Sequence, residues 1–245
     1  MNRRYQKNYA STRPQMYDEI SRIKKAKAII YVLNDYFGTN KVKKLKILDV
    51  GASSGIMDNE ISKHVSNVIG IDIDSQAIKF AQKNFKRKNL KFKVDDAMNL
   101  KEKPNTYDVV ICAHVYEHVP DSAKLFKEIY KVLKPNGVCY LAAINSLWPM
   151  EPHYNLLFLS WLPRNLANIY VKLTGKANEY YEHPLSYWEI KKMTTYFAEI
   201  DYTSKIVINP KKFGYGNFQI ENPITNFIAK FAKYFTPTMF LLLKK

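Results

Sequence analysis

Cysteine is almost missing from this 245-residue chain: only Cys112 and Cys139 occur, far apart and without a CxxC partner. A disulfide scaffold and a zinc ribbon are therefore excluded. Long apolar runs are missing too. The best, VCYLAAI and NLLFLSWL, stop far short of the roughly 18 residues a membrane span needs. The opening stretch, MNRRYQKNYASTRPQMYDE, is basic but has no apolar centre, so it is not expected to be a signal peptide and the cytoplasm is the expected compartment. Acidic residues are few, with Asp+Glu 22 against Lys+Arg 38 and a formal net charge of +16. Arginine is scarcer still, at positions 3, 4, 13, 22, 87 and 164 alone. Nucleic-acid readers favour arginine for its bidentate fork. A lysine excess spread along the chain instead reads as a solvated surface, or as attraction to an anionic acceptor or membrane surface.

Apolar residues make up 47% and charged residues 24%, a globular composition in a length that suits one domain with additions. Residues 15–37 place Met16, Ile20, Ile23, Ala26 and Ile30 at helical spacing, with Gly38 and Asn40 as the stop. Strand and helix signals then alternate. LKILDV (45–50), NVIGIDI (67–73), LKFKVD (90–95), YDVVICA (107–113) and VCYLAAI (138–144) read as strands. The segment after Gly55, SQAIKFAQKNFKRK (75–88) with Ser75 as N-cap, and DSAKLFKEIYKVLK (121–134) read as helices. Strands apolar on both faces, alternating with helices, mean a parallel sheet covered on both sides and a doubly wound fold. After Asn145 the rhythm breaks. Prolines 149, 152, 163 and 184, with Trp148 and Trp161, mark a cap over 146–185. Beyond it, 186–200 reads as helix, 202–209 as strand, 210–236 as an excursion helical in its second half, and TMFLLLKK (238–245) as a closing strand.

The loop Asp49-Val50-Gly51-Ala52-Ser53-Ser54-Gly55 closes the first apolar strand and opens a helix. Ligands bind outside the carboxyl ends of such strands, and small residues let the backbone come close. A dinucleotide fingerprint would need glycine at 53 and 56, where Ser53 and Ile56 stand. Asp-x-Gly-x-x-x-Gly instead resembles the S-adenosylmethionine loop of class I methyltransferases, with Ser53 replacing the middle glycine of its commonest form. YDVVICAHVYEHVPD (107–121) and KVLKPNGVCYLAAIN (131–145) resemble the fourth- and fifth-strand segments of the methyltransferase type 11 group. The resemblance spans about 45–145. It implies a Rossmann-like, mostly parallel seven-stranded sheet with one antiparallel edge strand. It also implies S-adenosyl-L-methionine as cofactor, held by Asp49, Gly51, Ala52, Ser53 and Gly55, by Asp72 on the ribose, by Ile73, Asp96 and Ala97 around adenine, and by His114.

His114, Glu117 and His118 share one face of a turn past the fourth strand. Quinone-pathway O-methyltransferases carry a similar Glu-x-x-Glu-His there, associated with a divalent metal, but this chain has His in place of the first acid. No metal is expected, and these three are its candidate ligands if one binds. Glu151-Pro152-His153-Tyr154 sits in the cap, over the presumed acceptor. His153 reads either as a base for a hydroxyl proton or as a packing residue that shapes the cap. ITNFIAKFAKYF (224–235) aligns Ile224, Phe227, Ile228, Phe231 and Phe235 beside Lys230 and Lys233, a stripe suited to its own domain or to an anionic membrane. The expected organisation is one domain over 1–245: N-terminal helical extension 1–44, cofactor core 45–145, acceptor cap 146–185, and C-terminal helix and edge strands 186–245. The expected activity is methyl transfer to a small-molecule, glycan or lipid-linked acceptor, with His153 or His114 as base. RNA or protein methylation, and a non-catalytic scaffold, are the rivals. The NPPY-type motif of amino-methylating DNA enzymes is replaced by AHVY (113–116).

Overall fold

The computed structural model describes residues 8–217 and 222–245. The first seven residues of the expected N-terminal extension, and 218–221 within the excursion 210–236, lie outside the described residues. Two 3-10 turns, Ala10–Thr12 and Pro14–Tyr17, lead into α1 (Glu19–Phe37) and α2 (Thr39–Val42). The core follows as β1 (Lys46–Val50), α3 (Ile56–Ile61), β2 (Asn67–Asp72), α4 (Ser75–Asn84), β3 (Leu90–Val94), β4 (Tyr107–Ala113), α5 (Ser122–Val132) and β5 (Leu133–Ile144). The cap holds a small hairpin, β6 (Met150–Glu151) with β7 (Leu156–Leu157), a 3-10 turn and α6 (Arg164–Leu173). The chain then gives α7 (Tyr187–Met193), β8 (Ala198–Asp201), α8 (Thr203–Ile208), α9 (Pro223–Ala229), α10 (Ala232–Phe235) and β9 (Thr238–Lys244).

Seven strands form one sheet in the order β3-β2-β1-β4-β5-β9-β8. The first five pair in parallel, and β9 runs antiparallel to both neighbours. The antiparallel strand therefore lies second from the edge rather than at it, and β8 is the outermost strand on that side. Alternate residues of each strand point to opposite faces. Ile47, Val109, Ile111 and Val138 meet Ile29, Ile30 and Leu33 of α1 on one face. Leu48, Val50, Val110 and Cys112 meet Leu125, Phe126 and Ile129 of α5 on the other. Both cysteines are buried and unpaired, and act as small core hydrophobes. Among the described residues, no helix is long and apolar enough to cross a membrane.

Local chemistry shifts several boundaries. Ile20 is 84% exposed, because the buried face of α1 begins only at Ala26. Asp74, not Ser75, caps α4, its carboxylate accepting from the Gln76 and Ala77 amides. That helix ends at Asn84, four residues short of expectation. A Ser186–Glu189 capping box starts α7, but the helix stops at Met193 and β8 pairs with β9 instead. Residues 202–209 are mostly helix, not strand: Tyr202 and Ile206, one turn apart, are both buried in the core against α1. Their β-branched neighbours had suggested a strand, and tertiary burial overrides that preference.

Gly55 takes φ +74°, and a Cβ there would sit 2.6 Å from the Phe92 ring and 2.7 Å from the Ala81 methyl. The left-handed backbone alone costs a side-chain-bearing residue about 1–2 kcal/mol, and the collision adds to it. Gly55→Ala is expected to lower the melting temperature by roughly 6–12 °C, taking about 3 kcal/mol in a chain of this size. An unchanged melting curve would contradict this packing.

Candidate active site

A cavity of about 310 Å³ opens above the carboxyl ends of the central strands. Gly51, Ser53, Asp72, Ile73, Asp96, Ala97, His114 and His153 all line it. Two hydrogen bonds clamp the loop after β1 to β2, from the Gly51 and Ala52 amides to the Ile71 carbonyl, at 2.8 and 2.9 Å. Asp72 then organises the next turn. Its Oδ2 accepts from the Ser53 amide and its Oδ1 from the Asp74 amide, each at 2.8 Å. Burial pushes the Asp72 carboxyl above its usual range, and these amides pull it back down in part. Gly51 takes φ +85°, and a Cβ there would lie 2.5 Å from a Val115 methyl. Ser53 is also left-handed, at φ +51°. Its hydroxyl oxygen is buried with no hydrogen-bond partner among the described residues.

Three expected contact residues lie elsewhere. Ala52 packs under the loop against Gly70, and Gly55 faces Phe92 and Ala81. Asp49 is buried beneath the cavity, beside the equally buried Asp58 of α3. Burial raises Asp49 to about 7, and burial with the neighbouring Asp49 charge raises Asp58 well above the usual carboxylate range. Two carboxyls so close share a proton rather than both ionising. Asp96 lines the wall as expected, its Oδ1 accepting from the Met98 amide at 2.8 Å. Asp95 spends both oxygens on the turn, accepting from the Asp96 and Lys101 amides.

Imidazoles and carboxylates gather at the other end. His114 directly follows β4 with φ +57°, its amide held by the Ala142 carbonyl at 2.9 Å. Burial, then the charges of Lys25, His153 and Arg22, hold its ring down at about 3, so it is neutral at neutral pH. In the β6–β7 hairpin, Glu151 accepts from the His153 and Tyr154 amides at 2.8 and 2.9 Å, and its Oε1 lies 2.7 Å from His153 Nδ1. This fixes the proton on Nδ1 and leaves Nε2 as the acceptor. Burial opposes charge on His153, but the hydrogen bond and charge of Glu151, with Glu182 and Glu117 beyond, give a net upward shift. The His118 ring sits between those of Tyr9 and His153, at 4.5 and 4.9 Å. Its Nδ1 is 3.7 Å from Glu182. Glu117 is fully buried and pushed up to about 7, chiefly by that burial. The ligand atoms of Glu117, His118 and His153 lie within 4.8 Å of one another. His153 thus joins Glu117 and His118 where the sequence had suggested His114.

Sequence reasoning missed the wall contributed by the N-terminal segment. Tyr9, Gln15, Met16, Arg22 and Lys25 line the cavity. The segment is tied across it by the Ala10 amide to Asp74 and by the Ser54 hydroxyl to the Met16 carbonyl. Arg22 and Lys25 stand three residues apart on α1, which in sequence looks like any solvated lysine-rich face. Glu182 beside His118, and the hydrogen bond by which the Glu151 of the cap motif orients His153, were also missed.

Residues 48–141 match the family model described as a methyltransferase domain. Over this segment the chain matches a methyltransferase domain, and its fold is that of class I S-adenosylmethionine-dependent methyltransferases. Similar curated proteins include ubiquinone biosynthesis O-methyltransferases. That of Psychrobacter cryohalolentis is 33% identical over 109 residues, covering 41% of this chain and 41% of the relative. That of Rickettsia canadensis is 33% identical over 150 residues, covering 58% and 61%. The alignments thus span less than two thirds of those relatives. Among solved structures, the plantazolicin methyltransferase BpumL, in complex with a monoazolic desmethylPZN analogue and SAH, superposes with a TM-score of 0.60. It is 20% identical and covers 97% of this chain and 87% of that one. An S-adenosylmethionine-dependent methyltransferase from Mesorhizobium loti gives 0.54 at 17% identity, covering 83% and 92%. At these identities the structural likenesses show the methyltransferase fold alone.

Proposed function

We propose that this chain transfers a methyl group from S-adenosylmethionine to a hydroxyl of a small-molecule, sugar or lipid-linked acceptor. The observation that carries this reading is the Glu151–His153 pair, whose imidazole lines the same cavity as the Asp72 and Gly51 turn while the carboxylate is buried behind it. The residues present suit the cofactor. Gly51 has no room for a side chain, and the buried Ser53 hydroxyl lacks a partner among the described residues. The Asp72 carboxylate, oriented by two amides, keeps lone pairs for ribose hydroxyls, and Ile73, Asp96 and Ala97 stand beside it for the adenine. Asp49 and Gly55 support the loop from below instead of touching ligand. When bound, the cofactor supplies a methyl already activated on a sulfonium, so the protein's main task is positioning.

The chain's own proton chemistry follows from the cap. His153 Nε2 takes the proton of the acceptor hydroxyl, and the Glu151 carboxylate stabilises the imidazolium that results. His114, held neutral, offers the hydroxyl a hydrogen-bond partner without competing for its proton. That the similar curated proteins are O-methyltransferases supports a hydroxyl acceptor. Incubating the protein with methyl-labelled cofactor and fractionated extract of the source cells tests the reading. Label is expected in the small-molecule, glycan or lipid pool. Label confined to RNA or protein would overturn the acceptor class, and binding of cofactor with no label in any pool would favour a scaffold.

A further inference from the structure

Helix α9 is inside out. An amphipathic helix normally turns its large apolar side chains toward its own core. Here the buried residue is Ala229, whose carbonyl accepts from the Ser204 hydroxyl at 2.6 Å and so pins the helix to α8. Its start is fixed as well, since Asn222 caps it through the Thr225 amide at 2.8 Å. Ile224, Phe227 and Ile228 instead stand 73%, 63% and 61% exposed. Phe231 and Phe235 continue the exposed stripe into α10. A contiguous apolar surface of this kind marks an interaction site.

The surrounding charge selects the partner. Residues 202–235 contain five lysines and a single acid, Glu221; Lys205 and Lys212 pair with Asp35 and Lys233 with Glu199, so Lys211 and Lys230 carry the local positive excess. Lys230 is exposed on the stripe itself. A second copy of this chain would bring the same basic rim and the same +16 charge, which repel. An anionic surface is attracted, and an apolar face rimmed by lysine is the form that lies in a bilayer interface. Topology adds the last piece. Pro237 and Thr238, which follow Phe235 almost at once, line the cavity.

We propose that α9 and α10 dock this protein on an anionic lipid bilayer, placing the cavity mouth at the membrane so that a lipid-linked acceptor enters past Pro237 and Thr238. The choice of acceptor rests on the methyl-transfer reading above; the docking itself does not, and its test needs neither cofactor nor turnover. The full chain is sedimented with vesicles of phosphatidylcholine alone and of phosphatidylcholine mixed with phosphatidylglycerol. It is expected to pellet with the mixed vesicles and to be released by high salt. The double variant Phe227→Glu, Phe231→Glu is expected to bind them at least about tenfold more weakly, since two carboxylates would enter the apolar interface. Its melting temperature and cofactor affinity should be unchanged, because neither side chain is buried. Wild-type protein that stays in the supernatant with both vesicles, or a variant that pellets equally well, overturns the proposal. Light scattering that gives twice the monomer mass for wild type, and the monomer mass for the variant, assigns the stripe to a second copy and overturns it too.

Discussion

Asp72→Ala is expected to weaken S-adenosylmethionine binding by roughly 10- to 150-fold, the equivalent of the 1.5–3 kcal/mol that hydrogen bonds to a charged group contribute. The carboxylate stands at the end of β2, on the cavity wall, with one oxygen accepting from the Ser53 amide and the other from the Asp74 amide. Its removal therefore acts twice. The ribose loses its acceptor, and two amides of the loop and turn lose the group that orients them. Asp72→Asn separates the two effects. It keeps one acceptor oxygen for an amide but gives up the charge, so its loss should be smaller. Burial already pushes this carboxyl upward. Affinity should accordingly fall as pH drops through that raised value, where the carboxyl becomes neutral. Calorimetry measures all three, and an unchanged affinity for the alanine variant would remove Asp72 from the cofactor site.

The region that placed Asp72 was readable because its signals are local and redundant. β1, β4 and β5 are apolar on both faces, since helices cover the sheet twice, and the small Gly51 follows the first of them where a ligand approaches. The spacing from Gly51 to Asp72 and on to Asp96 puts all three on one rim, and the cavity contains all three. Roles within that rim were less readable. Asp49 and Gly55 belong to the same loop motif as Gly51, yet one is buried against Asp58 and the other against Phe92. A motif records which residues a turn needs without saying which of them touch ligand. The far wall was not readable at all. Tyr9 and Arg22 reach it from the N-terminal segment, and Pro237 from the start of β9, more than 200 residues apart in sequence. No periodicity connects such positions; only the crossing of α1 over the sheet and the return of β9 beside β5 bring them together. Tyr202 to Ile208 failed for a related reason, since burial against α1 decided for helix where composition suggested strand.

His153 stood in the sequence as either a base or a packing residue, and Glu151 decides how to tell these apart. His153→Ala is expected to leave cofactor affinity intact and to slow turnover by about 10²–10⁴-fold, the usual range for a lost general base. The pH profile supplies the sharper test. Glu151 shifts the imidazole upward from 6.5, and the form that accepts a proton is the neutral one. The rate should therefore rise with pH through a value above 6.5. Glu151→Gln removes the charge that causes the shift, so the rising limb should move to lower pH. The maximum rate should fall at the same time, because the Nδ1 proton is no longer held by a carboxylate and the imidazolium loses its counter-charge. A residue that merely shapes the cap would lower the rate without moving the limb. A full-rate His153→Ala variant, or a Glu151→Gln profile that coincides with wild type, would return the pair to packing and pass the proton to His114. That ring is poorly suited to the task, since burial and the nearby cations hold it at about 3. His114, His118 and His153 all line the cavity, but burial lowers the first two, and only His153, hydrogen-bonded to Glu151, is shifted upward toward taking a proton near neutral pH.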